Sequence, residues 1–176
     1  MPASVAVRKL NAQLSRARIA KWDFEEASSY LMALHGRRIY VIRRALMTAA
    51  IVAYCRPFTQ NETDSASKAT PQLSVSLKEL FEAKELELHE RLLALRHEAL
   101  AHSSYARKPV GRVEGNTRGF MLSGRPFDIV SQNVDHKLLL AMCAKLELHC
   151  ENKMSNLNRH IVRAESAAYP FGQADA

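Results

Sequence analysis

No uninterrupted apolar run in this chain approaches the 18 or more residues of a membrane-spanning helix. The longest, ALMTAAIVAYC, is closed by Arg44 and Arg56. A secretory signal is missing as well, because MPASVAVRKLNAQLSRAR has no apolar centre. No acid precedes Asp23, a trait shared with transit peptides, but the spacing favours an amphipathic first helix. Cysteine is scarce. Cys55, Cys143 and Cys150 are odd in number and form no CxxC pair, which speaks against a disulfide framework and fits a reducing cytoplasm. Cys143 and Cys150 are seven residues apart and stack on one helical face. With His149 they still lack a fourth ligand, so small core residues are expected, and neither metal nor cofactor.

What remains is the composition of an ordinary globular domain: 176 residues, 47% hydrophobic and 24% charged. That length suits one domain with a respectable core. The net charge of +7 is unevenly placed. Residues 1–60 carry ten Lys/Arg against three acids, 61–100 five against eight, 101–130 five against two, and the remainder five of each. Two basic segments point to an anionic partner, nucleic acid first.

The six prolines leave three long free stretches, 3–56, 72–108 and 127–169, each with helical periodicity. Val7, Leu10, Leu14 and Trp22 trace one face of a first helix. DFEE (Asp23 to Glu26) reads as a capping box opening a second helix through Leu31, Met32 and Leu34, with Gly36 as its C-cap. A third passes through Ile39, Ile42, Leu46, Ala50 and Ala53 and stops before Pro57. A polar linker, 57–73, follows. From Ser76 another helix or two lead to Leu88, Leu92, Leu95, Ala99 and His102, a heptad-like seam. Four glycines between 111 and 124 mark an irregular arm or short hairpin within 103–130. The last helix, capped near Ser131 or Asp135, carries Leu139, Met142, Cys143, Leu146, Cys150, Met154, Leu157 and Ile161. The expected fold is all-α. It is an up-and-down bundle of four to six helices in a single domain, 1–165, with a loose tail at 166–176.

The stretch ALRHEALAHSSYA closes the leucine seam with Arg96, His97 and His102. On an unbroken helix Arg96 and His102 point about 120° apart, so a distorted helix end or a facing second copy is needed to unite them. Such groups suit RNA cleavage by its own 2′-hydroxyl: a histidine accepts the hydroxyl proton, and an arginine forks onto the phosphate oxygens as charge builds. The plainer reading is a basic helix C-terminus that complements the dipole. Two further basic features stand out. In GRRIYVIRRAL, Arg37 and Arg44 fall two helical turns apart with Tyr40 between them, either a phosphate-tracking ridge or a solvated face. Arg107, Lys108, Arg112 and Arg118 follow the motif in the glycine-rich arm, which either closes over RNA or is a plain loop.

LRHEALAHSS resembles the signature of the HEPN superfamily: an arginine, a polar residue and a histidine four to six residues beyond the arginine. The wider order is similar to the abortive-infection branch. A helix ends in AYCRPFTQN, a polar linker and a leucine-rich helix lead into the motif, and a variable arm precedes a long last helix, over residues 20–165. The resemblance implies a homodimer with the two motifs facing across a cleft. It also implies a metal-independent ribonuclease of toxin–antitoxin, phage-defence or RNA-processing systems that leaves a cyclic phosphate. Arg96 would hold the phosphate, His102 would act as general base or acid, and His97 would assist. RNA and an antitoxin protein are the partners so implied, and no membrane is expected. One related toxin branch is silenced on a tyrosine two residues after the histidine, whereas Tyr105 here is three residues after His102. Some members bind RNA without cutting it, so a non-catalytic helical module that binds RNA or protein is the alternative.

Overall fold

The computed structural model describes residues 5–59, 73–97, 110–114, 120–124 and 128–168, with backbone alone for 110–114, 120–124 and 167–168. The chain folds as an all-α helical bundle. Its helices are α1 (Val5–Ala33), α2 (Tyr40–Cys55), the single turn α3 (Leu77–Leu80), α4 (Ala83–Leu95) and the long α5 (His136–Ala168). Before α5 lies a small antiparallel hairpin, β1 (Val110–Glu114) and β2 (Phe120–Gly124), with Arg112 opposite Leu122. The bundle is organised around α1, which packs along both α5 and α2.

Expected breaks and caps are met in some places and not in others. Gly36 ends α1 with φ of +71°, a left-handed conformation open to glycine at little cost. Asp135 starts α5: its Oδ1 accepts the amides of Lys137 and Leu138 at 3.0 Å each. Glu82 and Glu85 form a reciprocal capping box at the start of α4.

At Asp23, however, one helix runs straight through where two were expected. A capping residue must leave helical geometry, and neither glycine nor proline forces that here. Asp23 is instead buried, and its carboxylate receives the Arg56 guanidinium at 3.2 Å from the end of α2. Phe24 beside it is fully buried.

The buried stripe of α1 is Ala17, Ala20, Phe24, Ala27 and Leu31, steps of three and four. Trp22, two steps from both Ala20 and Phe24, therefore points outward, and Met32 does too. On α2, Ile39 and Ile42 are likewise exposed rather than core, and continuous burial starts only near Met47. Along α5, Leu139, Met142, Cys143, Leu146, Cys150, Leu157 and Ile161 are buried as the periodicity predicts, with Met154 half-buried. Three ends of the expected irregular segments join the core. Pro57 and Leu73 are buried, and so is Ile129.

Candidate functional site

The motif begins where α4 stops. Leu88, Leu92 and Leu95 are buried, which fixes the roll of α4 and sets the direction in which Arg96 leaves it. Glu85, His89, Leu92 and Arg96 follow one another at steps of four, three and four on that same inner stripe. Glu85 is anchored by Lys145 of α5, with Nζ 2.8 Å from both carboxylate oxygens. This ion pair and the Glu82 amide hold its carboxyl below the usual range against the opposing effect of burial.

About one turn further on, His89 is buried and shares a 2.9 Å hydrogen bond between Nδ1 and the Tyr54 hydroxyl of α2. Aromatic rings close around it. Phe58 stands edge-on at 4.7 Å between centroids, Tyr54 at 5.8 Å, and Phe81 is tilted at 6.2 Å. Burial with no opposing charge pushes the imidazole down to about 4, so it is neutral at pH 7. His89 is not among the candidate residues of the sequence analysis. Its place one residue after Leu88 and three before Leu92 was the available signal.

Arg96 is half-buried, and its backbone N–H reaches back to the carbonyls of both Leu92 and Leu93. There the regular helix widens into a π-type turn at Arg96 and His97, a local unwinding found at many functional sites. The Arg96 charge is close enough to the Cys55 thiol to oppose, weakly, the burial that drives that thiol up to about 12. His97 is exposed. His102, Tyr105, Arg107, Lys108 and Arg118 lie outside the described residues, and Arg112 is described through its strand backbone alone. Arg96 and His97 are thus placed, and they lie together at one helix end.

The turn that follows α2 is tied to α1. Arg16 is buried with Nη2 donating to the Pro57 carbonyl at 2.8 Å, while its Nε has no partner. Burial lowers the pKa of this guanidinium against the opposing pull of Asp23. Arg56 bridges from the turn Arg56–Phe58 to Asp23 and Glu26 on α1. These contacts pin the turn that presents Phe58 to His89.

The basic ridge is rearranged relative to the sequence expectation. α2 starts at Tyr40, so Arg37 precedes the helix in the connection after Gly36, and only Tyr40 and Arg44 share a helical face. Arg43 ties the connection to the helix by donating from Nη1 to the Arg37 carbonyl at 3.2 Å. The Tyr40 hydroxyl bonds to Asp128, which raises the phenol pKa and lowers that of the carboxyl. Tyr40 is therefore held at one end, although its ring stays partly open. A cavity of about 210 Å³ adjoins this corner, with Leu34, Arg43, Met47, Ile129, Asn133 and His136 among its walls. Arg96 and His97 do not line it.

Cys55, Cys143 and Cys150 are free, buried core residues, with burial pushing their thiols to about 12, 12 and 11. His149 is turned towards Ser74 and Lys153, and burial and the lysine lower its pKa. Among the described residues, no three His, Cys, Asp or Glu side chains are grouped to hold a metal ion. No described helix is long and apolar enough to cross a membrane. Comparison with protein-family models, with curated proteins and with solved structures finds no match for this chain.

Proposed function

We propose that the chain is a metal-independent endoribonuclease of HEPN type, working in the cytoplasm as a homodimer within a toxin–antitoxin or phage-defence system. The observation that carries this reading is the position of Arg96. It stands half-buried at the point where α4 gives up regular geometry, just past a seam that holds the helix firmly in the core. A widened turn is the kind of distortion that the five residues between Arg96 and His102 require if both are to meet one phosphate. In this reading His102 takes the 2′-hydroxyl proton, the resulting oxyanion attacks phosphorus, and the 5′-oxygen leaves. Arg96 carries the charge that builds on the non-bridging oxygens, and His97 assists the leaving group or positions the phosphate. The strand-borne Arg112, with Arg107 and Lys108, and the Arg37, Tyr40 and Arg44 corner add phosphate and base contacts.

The second reading is a helical RNA- or protein-binding module without catalysis. It is favoured by the arginines of the α1–α2 corner, which need no motif to hold an anion. Incubating the purified chain with end-labelled RNA in EDTA separates the two. Cleavage to cyclic-phosphate ends is expected for the enzyme; binding with intact RNA replaces it by the module.

A further inference from the structure

The cavity beside α2 lies where three segments meet: the connection after α1, the first turns of α2, and the connection that leads into α5. Its floor is apolar and buried, made by Leu34, Met47 and Ile129. Its polar walls are Arg43, Asn133 and His136, and among the described residues no acid lines it. Arg43 is half-buried. Its Nη1 donates to the Arg37 carbonyl, and among the described residues no carboxylate pairs with the guanidinium. Nε and Nη2 remain for a further acceptor. The two acids that flank these walls in sequence are committed elsewhere. Asp128 meets the Tyr40 hydroxyl, the amides of Val130 and Ser131, and the charge of Arg44. Asp135 accepts the amides of Lys137 and Leu138. A guanidinium partly withdrawn from water without a carboxylate partner favours an anion beside it. Asn133, at φ 49° and ψ 46°, is the one non-glycine residue of positive φ among the described residues, a backbone state that recurs at ligand clamps.

From this we propose that the cavity binds a small organic monocarboxylate. One guanidinium matches one carboxylate, which it can take on two N–H groups at once. The Asn133 side-chain amide is a second donor at the same walls, and His136 stands beside it. The apolar end of the ligand lies on Leu34, Met47 and Ile129. Size narrows the class further. A volume of about 210 Å³ is the liquid volume of roughly seven waters. Pockets for drug-sized ligands start near ~300 Å³. An acid with one ring or a short branched chain fits, and a nucleotide does not. Bound there, the acid bridges α2 to the connection whose Gln132 carbonyl is held by Arg91 of α4. The site stands apart from the ribonuclease reading, because Arg96 and His97 do not line it.

The test is a titration of the full chain with benzoate, followed by the methyl signals in nuclear magnetic resonance at physiological salt, where loose surface binding is screened. Benzoate should shift the methyls of Leu34, Met47 and Ile129 saturably, with a dissociation constant on the order of 1 mM. Benzamide, its neutral counterpart, should bind about tenfold more weakly. Arg43→Gln should weaken benzoate about tenfold and leave benzamide unchanged, and Arg43→Lys, which keeps the charge without the fork, should fall between. Benzoate should also raise the thermal midpoint of the parent and not that of Arg43→Gln. Circular dichroism checks that each variant is folded. Should Arg43→Gln fail to fold, the parent's preference for benzoate over benzamide decides the matter together with Arg43→Lys. Shifts that do not saturate, or that spare the cavity methyls, overturn the proposal. So does equal binding of benzamide and benzoate, or a folded Arg43→Gln chain that binds benzoate as the parent does. Inorganic phosphate that displaces benzoate at equal concentration overturns it as well and assigns Arg43 to the phosphates of RNA.

Discussion

Arg96 and His89 are eleven and four positions into one inner stripe that begins at Glu85, yet they serve different ends. Arg96 is half-buried at a helix end, where the proposed function has it meet a phosphate. His89 is enclosed by rings and fit to hold α4 against α2. His102→Ala is expected to abolish RNA cleavage, a loss of about 10²–10⁴-fold in rate for removing a proton-transfer group. Arg96→Ala should be as severe and should also weaken RNA binding, while His97→Ala should do less than either. Single-turnover cleavage and filter binding on folded variants check this, and a folded His102→Ala chain that cuts at the parent rate removes the motif from the mechanism. His89 carries a pH signature. Its folded pKa of about 4 lies below the ordinary 6.5, so the unfolded chain takes the proton first as pH falls. The stability it contributes is complete above pH 6.5 and is lost between 6.5 and about 4, at about 1.4 kcal/mol per pH unit. His149, lowered by burial and by Lys153, acts in the same direction as pH falls below the ordinary 6.5. Urea midpoints from pH 7 to 5 should fall, and His89→Phe should flatten that slope; an unchanged slope would show that His89 titrates normally.

Among the elements, α1 decides most. It is long because Asp23 turns inward to Arg56, and a residue that looked like a start signal became a tie between α1 and α2. Asp23→Ala is therefore expected to lower stability and leave helix content unchanged, read by far-ultraviolet circular dichroism and a urea titration. Loss of about a turn or more of helix would restore the capping role. Arg16→Met keeps the buried stem but removes the donor to the Pro57 carbonyl. It should cost about 1–3 kcal/mol, the penalty of leaving a buried acceptor unpaired. If the midpoint does not move, the turn Arg56–Phe58 is held by its aromatic contacts alone.

At the scale of the whole molecule, one copy of the motif offers one Arg96 and one His102, and the proposed cleft draws on two copies. The purified chain should sediment as a dimer at micromolar concentration. Mixing an inactive Arg96→Ala chain with an inactive His102→Ala chain should restore part of the cleavage if each phosphate is served across the two-fold axis. A monomer that cleaves RNA at full rate would discard the composite site.

The sequence by itself determined the helical class, the buried leucines of α4 and the seam of α5, the glycine that ends α1 and the position of the candidate motif in the chain, and it narrowed the start of α5 to Ser131 or Asp135. Each of these follows from local periodicity or from a residue with a special backbone role. Only the tertiary structure decided that Asp23 is inside, that Trp22, Met32, Ile39 and Ile42 are outside, and that His89 rests in an aromatic cage. Periodicity gives an apolar face but not how far its neighbour extends along it. The first turn of α2 is apolar in sequence and bare in space for that reason. Arg37 left the expected ridge because a left-handed glycine just before it delays the helix to Tyr40, and a backbone turn of that kind cannot be read from charge spacing.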